Sequence, residues 1–515
     1  MLPEPIQNRM QQALLHHQVG RLADARTLYM EILALQPEHA DATHALGLLA
    51  FQAGHYDDAL RLIQRAIQLD ASAAHYHSNL GHVLKSTGRT DEAIAALRHC
   101  IKLNPLLAPA YHNLGIALHE SRRLNEAADA YRQFVALEPD SVDGWHHLGN
   151  VLHENDALDD AIDAYRHALR IAPNYEQSWN NLGLTYHAAG RFEEAIRAFE
   201  QTLLLRPDWQ LVRYNFALTL LLLGRFEQGW DLHDSRRHAP ELSLGCRRFD
   251  KPMWDGSLLD GRRILLHAEQ GLGDTIQFVR YARLVADLGG RIVLACDPRL
   301  VRVMQRLPWI ERVIDHDPPA GDFDVHAPLM SLPRVFKTTV ETIPAMERYL
   351  TADPELARQY RSRMPPDPRP KVTLTWAGRP DHLNDHRRSI PATALDGLGA
   401  CDRVQFISVQ PGSVSRPNLN SAEPDFELRD FADTAALIAN VDLVITVDTS
   451  VAHLAGAMGL KTWLLLPFVP DWRWLFGRAD SPWYPSVTLF RQPRPGDWET
   501  VLREIMNRLM TGTIR

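Results

Sequence analysis

The chain has 515 residues, 45% apolar and 23% charged, with a formal net charge of −8. That length suggests about three domains and can bury full cores. The acidic balance argues against a protein that binds nucleic acid through a basic face. The N-terminal MLPEPIQNRMQQALLHHQVG lacks the basic start and apolar core of a secretion signal. The longest wholly apolar run, around Leu220 to Leu223, falls far short of a membrane span. Cys100, Cys246, Cys296 and Cys401 lie far apart with no metal-binding spacing, so a reducing cytoplasm is the expected location.

In chain order, a repeat comes first. Prolines stand at Pro37, Pro105, Pro139, Pro173 and Pro207, with Ala71 in the missing slot, at a spacing of 34. A small residue keeps that period at Ala13, Gly47, Gly81, Gly115, Gly149, Gly183 and Ala217. Turn glycines follow at Gly20, Gly54, Gly88, Gly190 and Gly224, with Arg122 and Asp156 as substitutes. A fourth column reads Ala25, Ala59, Ala93, Ala127, Ala161 and Ala195. Four columns in register mark a repeat array. Small residues let two helices approach closely, glycine ends the first helix, and proline stops the second. The pattern resembles the tetratricopeptide repeat over residues 6–237, as six full units and a worn capping unit from Leu211. The resemblance implies an all-α superhelix with a concave peptide-binding groove.

Two places before the small-residue column stand Asn79, Asn113, Asn181 and Asn215, with Ala45 and His147 in the other slots. An amide both donates and accepts, so a row of amides can hold an extended peptide backbone without reading its sequence. This column looks like the asparagine ladder of protein O-GlcNAc transferases. Ala45 and His147 interrupt it, and His77, His112 and His146 give the groove a chemistry of its own.

Residues 238–261 read as an extended connector. Strand and helix patterns then alternate: RRILLHA (Arg262 to Ala268), a helix over Thr275 to Leu288, RIVLAC (Arg291 to Cys296), a helix over Leu300 to Leu307, then VIDHD. This β–α–β order implies a parallel sheet in a lobe spanning 262–363. MPPDPRP (Met364 to Pro370) reads as a linker. A second lobe, 371–515, carries KVTLTWAG, VQFISVQ, DLVITVD, KTWLLLP and VTLFRQ as strands, with helices over Phe431–Ala439, Val451–Met458 and Asp497–Leu509. The expected fold class is therefore an all-α repeat array followed by two Rossmann-like α/β lobes, with ligands at the carboxyl ends of the strands.

The motifs at those strand ends carry the chemistry. EQGLGDTIQF (Glu269 to Phe278) is not the dinucleotide fingerprint, because Ile276 stands where its third glycine belongs and Asp274 would repel a pyrophosphate. Gly271 and Gly273 can bring backbone close to a ligand. An ionised Asp274 in a cleft can take a proton from a hydroxyl; the alternative is that it only caps the helix. ITVDTSVAHLAGAMG (Ile445 to Gly459) places Asp448, Thr449 and Ser450 at a helix N-terminus, a ready anion site, with His453 one turn on. In TWAGRPDHLNDHRRSIP (Thr375 to Pro391), Arg379, Arg387 and Arg388 offer planar forks to phosphate oxygens. Trp472, Trp474, Trp483 and Tyr484 can stack on a base or sugar, or pack between lobes. The DHD (Asp315 to Asp317) and DFD (Asp322 to Asp324) strings have the DxD form of metal-dependent transferases, but they fall in turn sequence and no metal is expected.

The order of these motifs over residues 262–510 resembles the heptosyltransferase-like family of GT-B glycosyltransferases. The resemblance implies Asp274 as catalytic base. It implies a nucleotide-sugar site built from Gly273, Trp376, Arg387, Arg388, Gln410, Asp448, Thr449, Ser450 and His453, with no cofactor and no metal. Ser450 stands where many members have glycine, and RSIP replaces the family's lysine–aromatic–proline. Repeats fused to such a transferase are similar to bacterial protein O-glycosyltransferases, including those of flagellin. The implied partners are a protein acceptor held by the Asn79, Asn113, His147, Asn181 and Asn215 column and a nucleotide sugar. Two other readings stay open: a scaffold whose transferase half is inert, and a transferase for a glycan or lipopolysaccharide acceptor.

Overall fold

The computed structural model describes residues 4–242, 247, 249–319, 321–344, 346–379, 385–410, 415–419, 421–422 and 427–512. Two compact units divide the chain, Met1–Ala189 and Gly190–Arg515. Among the described residues no helix is long and apolar enough to cross a membrane. The thiols of Cys100, Cys296 and Cys401 are free and buried, and Cys246 lies outside the described residues.

The first unit is helical from Glu4–Gln18 to Glu176–Ala188. Its helices are only 13 to 15 residues long, too short to stand alone in water, so packing holds them. The sequence columns show how. A Cβ placed on Gly47, Gly81, Gly115 or Gly149 would come within 2.8, 2.5, 2.8 or 2.6 Å of Ile63, Leu97, Tyr131 or Tyr165 on the next helix. The absent side chain is therefore what lets each pair close. The turn glycines have φ near +78°, and Arg122 and Asp156, their substitutes, take φ of 59° and 57°. Those two residues accept the left-handed conformation that glycine adopts without strain. Ala25, Ala59, Ala93, Ala127 and Ala161 are fully buried. Side chains also link one repeat to the next. Tyr76 Oη donates to Asp41 Oδ1 at 2.6 Å, Lys85 Nζ to Glu120 Oε1 at 3.2 Å, and His119 Nε2 lies 2.9 Å from Glu154 Oε1.

The second unit opens with three more repeat helices, Phe192–Leu205, Gln210–Leu222 and Phe226–His233. Two sheets follow. The first contains β1 (Arg263–His267), β2 (Arg291–Ala295), β3 (Ile310–Ile314) and β4 (Val325–Pro328), in the order β3-β2-β1-β4. The second contains β5 (Lys371–Thr375), β6 (Gln405–Ser408), β7 (Ser421–Ala422), β8 (Leu443–Val447), β9 (Thr462–Leu466) and β10 (Val487–Arg491), in the order β10-β9-β8-β5-β6-β7. Among the described residues every strand pairing is parallel. The central strand β8 and its neighbour β9 are short apolar runs buried along their length, as a sheet covered on both faces requires. The sequence thus anticipates the fold class: an all-helical repeat array, then parallel-sheet α/β structure. Strand order reverses at β1, between β2 and β4, and at the β8–β5 pair. Those reversals are where open α/β sheets bind ligands.

Two local expectations are corrected. The helix expected over 275–288 is three pieces, Leu272–Phe278, a tight turn Val279–Tyr281 and Ala282–Asp287. Arg280 sits in that turn, fully buried. Strand β4 was not anticipated, because four residues ending in proline carry little strand signal, and proline is tolerated there only because β4 is an edge.

The final repeat helices share a core with the sheets. Leu221, Leu222, Phe226 and Trp230 belong to the same buried cluster as Ile264, Phe278, Trp472 and Trp483. Trp230 Nε1 donates to the Thr338 carbonyl at 2.9 Å, and the Phe476 amide to the Leu222 carbonyl at 2.9 Å.

Candidate functional site

The helix Leu272–Phe278 leaves the carboxyl end of β1, and the helix Ser450–Ala457 leaves that of β8. They meet at Gly273 and His453. A Cβ on Gly273 would lie 2.7 Å from His453 Cδ2, so the second glycine of GLGD is what permits the approach. His453 is buried, its Nδ1 3.0 Å from Tyr484 Oη and its ring stacked on Trp474 at 5.1 Å. Burial, with the Arg473 and Arg280 charges nearby, holds its pKa well below the usual value, so the imidazole is neutral.

Asp274 lies in the first turn of its helix, its side chain 17% exposed. Its Oδ2 accepts from the Gly271 amide at 3.0 Å, and its Oδ1 from Arg473 Nη2. Burial raises its proton affinity, and Asp471 adds to that, while Arg473 and the Gly271 amide pull the other way; the net shift is upward. Asp274 does cap its helix, but the carboxylate also faces a cationic partner 199 residues away in sequence.

Asp448 ends β8. Burial and the Asp471 carboxylate push its pKa up to about 7, against the pull of Arg388 and Arg473. The sign of the stability effect follows. Between the ordinary value of 3.8 and about 7 the folded chain holds a proton that the unfolded chain has released. Stability therefore falls as pH rises through that window. Asp448→Asn is expected to raise the melting temperature at pH 8 by about 3 °C or more, with the gain gone near pH 4. Equal shifts in melts at both pH values would overturn the assignment.

Of the other expected donor-site residues, Arg388 lies near enough to Asp448 to act on its charge. Thr449 is the N-cap of the Ser450–Ala457 helix, yet its hydroxyl makes no capping bond and sits 3.1 Å from Thr446 Oγ1. Ser450 is half-buried. Trp376 is 1% exposed and lies in the core, so its side chain is not presented at the strand end. Gln410 clamps the backbone there: its Oε1 accepts from the Trp376 and Ala377 amides, each at 3.1 Å, and its Nε2 donates to the Ala377 carbonyl. Arg388 lies against Gly378, where a Cβ would meet its Nη2 at 2.3 Å, and its Nε donates to Asp385 Oδ1 at 3.2 Å. Arg387 is half-buried and Arg379 exposed, and Pro380 to Asn384 lie outside the described residues.

The aromatic run behaves differently from the stacking expectation. Trp472, Trp474, Trp483 and Tyr484 are all buried and take up packing roles. The DxD carboxylates are taken by basic or backbone groups: Asp317 pairs with Arg247, Asp322 with Arg312, and Asp324 Oδ2 accepts from the Arg263 amide.

Three arginines not singled out from the sequence bond to the segment between Glu269 and Phe278: to Asp274, Glu269 and the Gln277 carbonyl. Arg473 is one. Arg236, fully buried just after the last repeat helix, donates to Glu269 Oε2 at 2.6 Å, Asp234 Oδ1 at 2.7 Å and Ser331 Oγ at 2.9 Å. Arg280 donates to the Trp483 carbonyl at 2.6 Å and Tyr349 Oη at 3.0 Å, with the Tyr484 ring 4.6 Å away. For Arg280 and Arg473 the available signal was an arginine inside an apolar or aromatic run, a charge that must find a buried partner; Arg236, in HDSRRH, carries no such signal.

In the repeats, the expected ladder residues Asn79, Asn113, His147 and Asn181 of the first unit and Asn215 of the second are all half-buried. Asn79 Nδ2 lies 3.0 Å from His44 Nε2. Asn181 donates to Asn150 Oδ1 at 2.8 Å and accepts from Asn180 Nδ2 at 2.9 Å. His147 stacks on Tyr131 at 5.7 Å. The Asn79 and Asn181 amides thus bond to their own neighbours, and a peptide would have to exchange those bonds.

Residues 10–74, 44–108, 108–141 and 140–208 match tetratricopeptide repeat models. Protein FlbA of Caulobacter vibrioides is 29% identical over 313 residues, 55% of this chain and 52% of that protein. The chain therefore spans about half the length of this curated relative. A match over 55% of the chain is longer than residues 6–237, so it extends beyond the repeats. Among solved structures, YrrB, a TPR protein with an unusual peptide-binding site, is 20% identical with a TM-score of 0.34, covering 36% of this chain and 95% of that one. MamA is 27% identical with a TM-score of 0.31, over 31% and 94%. Pseudomonas aeruginosa pilF is 19% identical with a TM-score of 0.36, over 40% and 93%.

Proposed function

We propose that this tetratricopeptide-repeat protein is an inverting glycosyltransferase of the GT-B type, moving a sugar from a nucleotide sugar to a Ser or Thr hydroxyl of a protein acceptor. One observation carries the reading: the helices at the two sheet reversals meet through Gly273 and His453. Asp274, Asp448, Asp471 and Arg473 consequently form one electrostatic cluster at the strand ends.

In this reading the donor diphosphate sits at the N-terminus of the Ser450–Ala457 helix. Unpaired amides and the Thr449 and Ser450 hydroxyls receive its oxygens there, and Arg388 adds positive charge. The acceptor hydroxyl enters beside Asp274. As its oxygen bonds to the anomeric carbon, Asp274 takes its proton. The bond from that carbon to the phosphate oxygen breaks, and its electron pair leaves on the nucleoside diphosphate. A single displacement inverts the anomeric centre. Fixed dipoles and arginines can balance the leaving charge without a metal ion. The repeats hold the acceptor chain, for which flagellin or another secreted bacterial protein suits the resemblance.

Thermal melts of the full chain with ADP-, UDP-, GDP- and CMP-sugars test the donor half of this reading. One nucleotide class is expected to raise the melting temperature by several degrees, since ligand at a hundred times its Kd adds about 2.7 kcal/mol. Melting unchanged by all four classes would overturn the reading.

A further inference from the structure

Arg473 and Asp471 have no role in the transfer scheme above. They lie in the turn after β9, and the Arg473 guanidinium is held on several sides. Its Nη2 donates to Asp274 Oδ1 and its Nη1 to Asp471 Oδ1 at 2.8 Å. The Asp471 carboxylate also accepts from the Arg473 amide at 3.0 Å. The Trp472 ring lies 4.4 Å from the guanidinium carbon and the Phe278 ring 6.0 Å. Its Nε is buried with no partner among the described residues. So complete an enclosure fixes the fork, and with it the carboxylate it grips.

We propose that Arg473 is a positioning residue that holds the Asp274 carboxylate in the orientation for proton abstraction, with Asp471 as its anchor. The proposal rests on the reading of Asp274 as the base. With the Gly271 amide on one oxygen and Arg473 on the other, the carboxylate plane cannot rotate. Each oxygen keeps a second lone pair, and one of these receives the acceptor proton. Lysine at this position would keep the charge but could not bridge two carboxylates in a planar fork. A plain structural tie would affect melting alone; a positioning residue affects the rate and its pH dependence.

The surrounding titratable groups are Tyr214 and His233 from the repeat helices, Asp448 and His453 from β8 and the helix after it, and Asp471 itself. Burial keeps Tyr214 and both histidines neutral at working pH. Asp448 is the group that must be separated from Asp274. Transfer by the full-length protein is therefore followed from pH 5 to pH 9 for wild type, Arg473→Gln, Arg473→Lys and Asp471→Asn, each repeated with Asp448→Asn. Arg473→Gln is expected to lower kcat about a hundredfold, with donor KM little changed, and to move the acid limb up by about one unit. Asp471→Asn is expected to move the limb down. Arg473→Lys is expected to keep the wild-type limb and recover only part of kcat. An Arg473→Gln protein that keeps the wild-type kcat and limb overturns the proposal, as does a limb shift that vanishes in the Asp448→Asn background. A wild-type protein that binds sugar nucleotides but transfers nothing overturns the enzymatic reading and takes the proposal with it.

Discussion

Asp274→Asn is expected to lower the transfer rate about a thousandfold, within the range of lost general-base catalysis, while donor affinity stays within about threefold. The substitution is close to isosteric. An amide oxygen can still accept from either the Gly271 amide or Arg473, which keeps its second partner in Asp471. The fold should survive, since the change also removes a carboxylate whose charge burial disfavours. What is lost is the ability to take a proton. The same upward shift predicts the wild-type profile: the base form is depleted as pH falls, so transfer weakens on the acid side. Initial rates on an acceptor protein, alongside donor calorimetry, decide the matter. Transfer within tenfold of wild type would remove Asp274 from the mechanism.

The sequence reveals some of this and conceals the rest for physical reasons. The repeat is readable because each column meets a steric demand that recurs every 34 residues. Gly81 must clear Leu97 just as Gly149 must clear Tyr165. Even the exceptions obey, since Arg122 and Asp156 take the backbone conformation of the glycines they replace. Asp274, Thr449 and Ser450 are readable because a strand end followed by a helix start is a local pattern. The ion pairs are not. Arg473 meets Asp274 across 199 residues of sequence and Arg236 meets Glu269 across 33. No local periodicity records such distances. PDWRWLF therefore reads as an aromatic loop, although its functional residue is the arginine between two buried tryptophans. Trp376 shows the converse: it stands at the right strand end, but its side chain turns into the core.

Cutting the chain before Gly190 and cutting it before His238 are expected to give opposite outcomes, although the repeat pattern runs to 237. A fragment 190–515 keeps the whole shared core and should melt cooperatively. A fragment 238–515 loses Phe192, Leu221, Leu222, Phe226 and Trp230, all buried in the cluster that contains Trp472 and Trp483. At roughly 1.5–3 kcal/mol for each such side chain, the loss is on the order of 10 kcal/mol. That matches the whole stability of an ordinary domain, about 5–15 kcal/mol. The shorter fragment also loses Arg236, leaving Glu269, whose side chain is 3% exposed, without its cation. A buried charge stripped of its partner costs a further 3–5 kcal/mol or so. Near-UV circular dichroism and melting of the two fragments measure the difference. A 238–515 fragment melting within a few degrees of 190–515 would show that the last repeats are an appendage. Failure of the shorter fragment alone would show that the end of the repeat array forms part of the wall of the α/β unit, and that Glu269 and the GLGD turn are held in place from the repeat side.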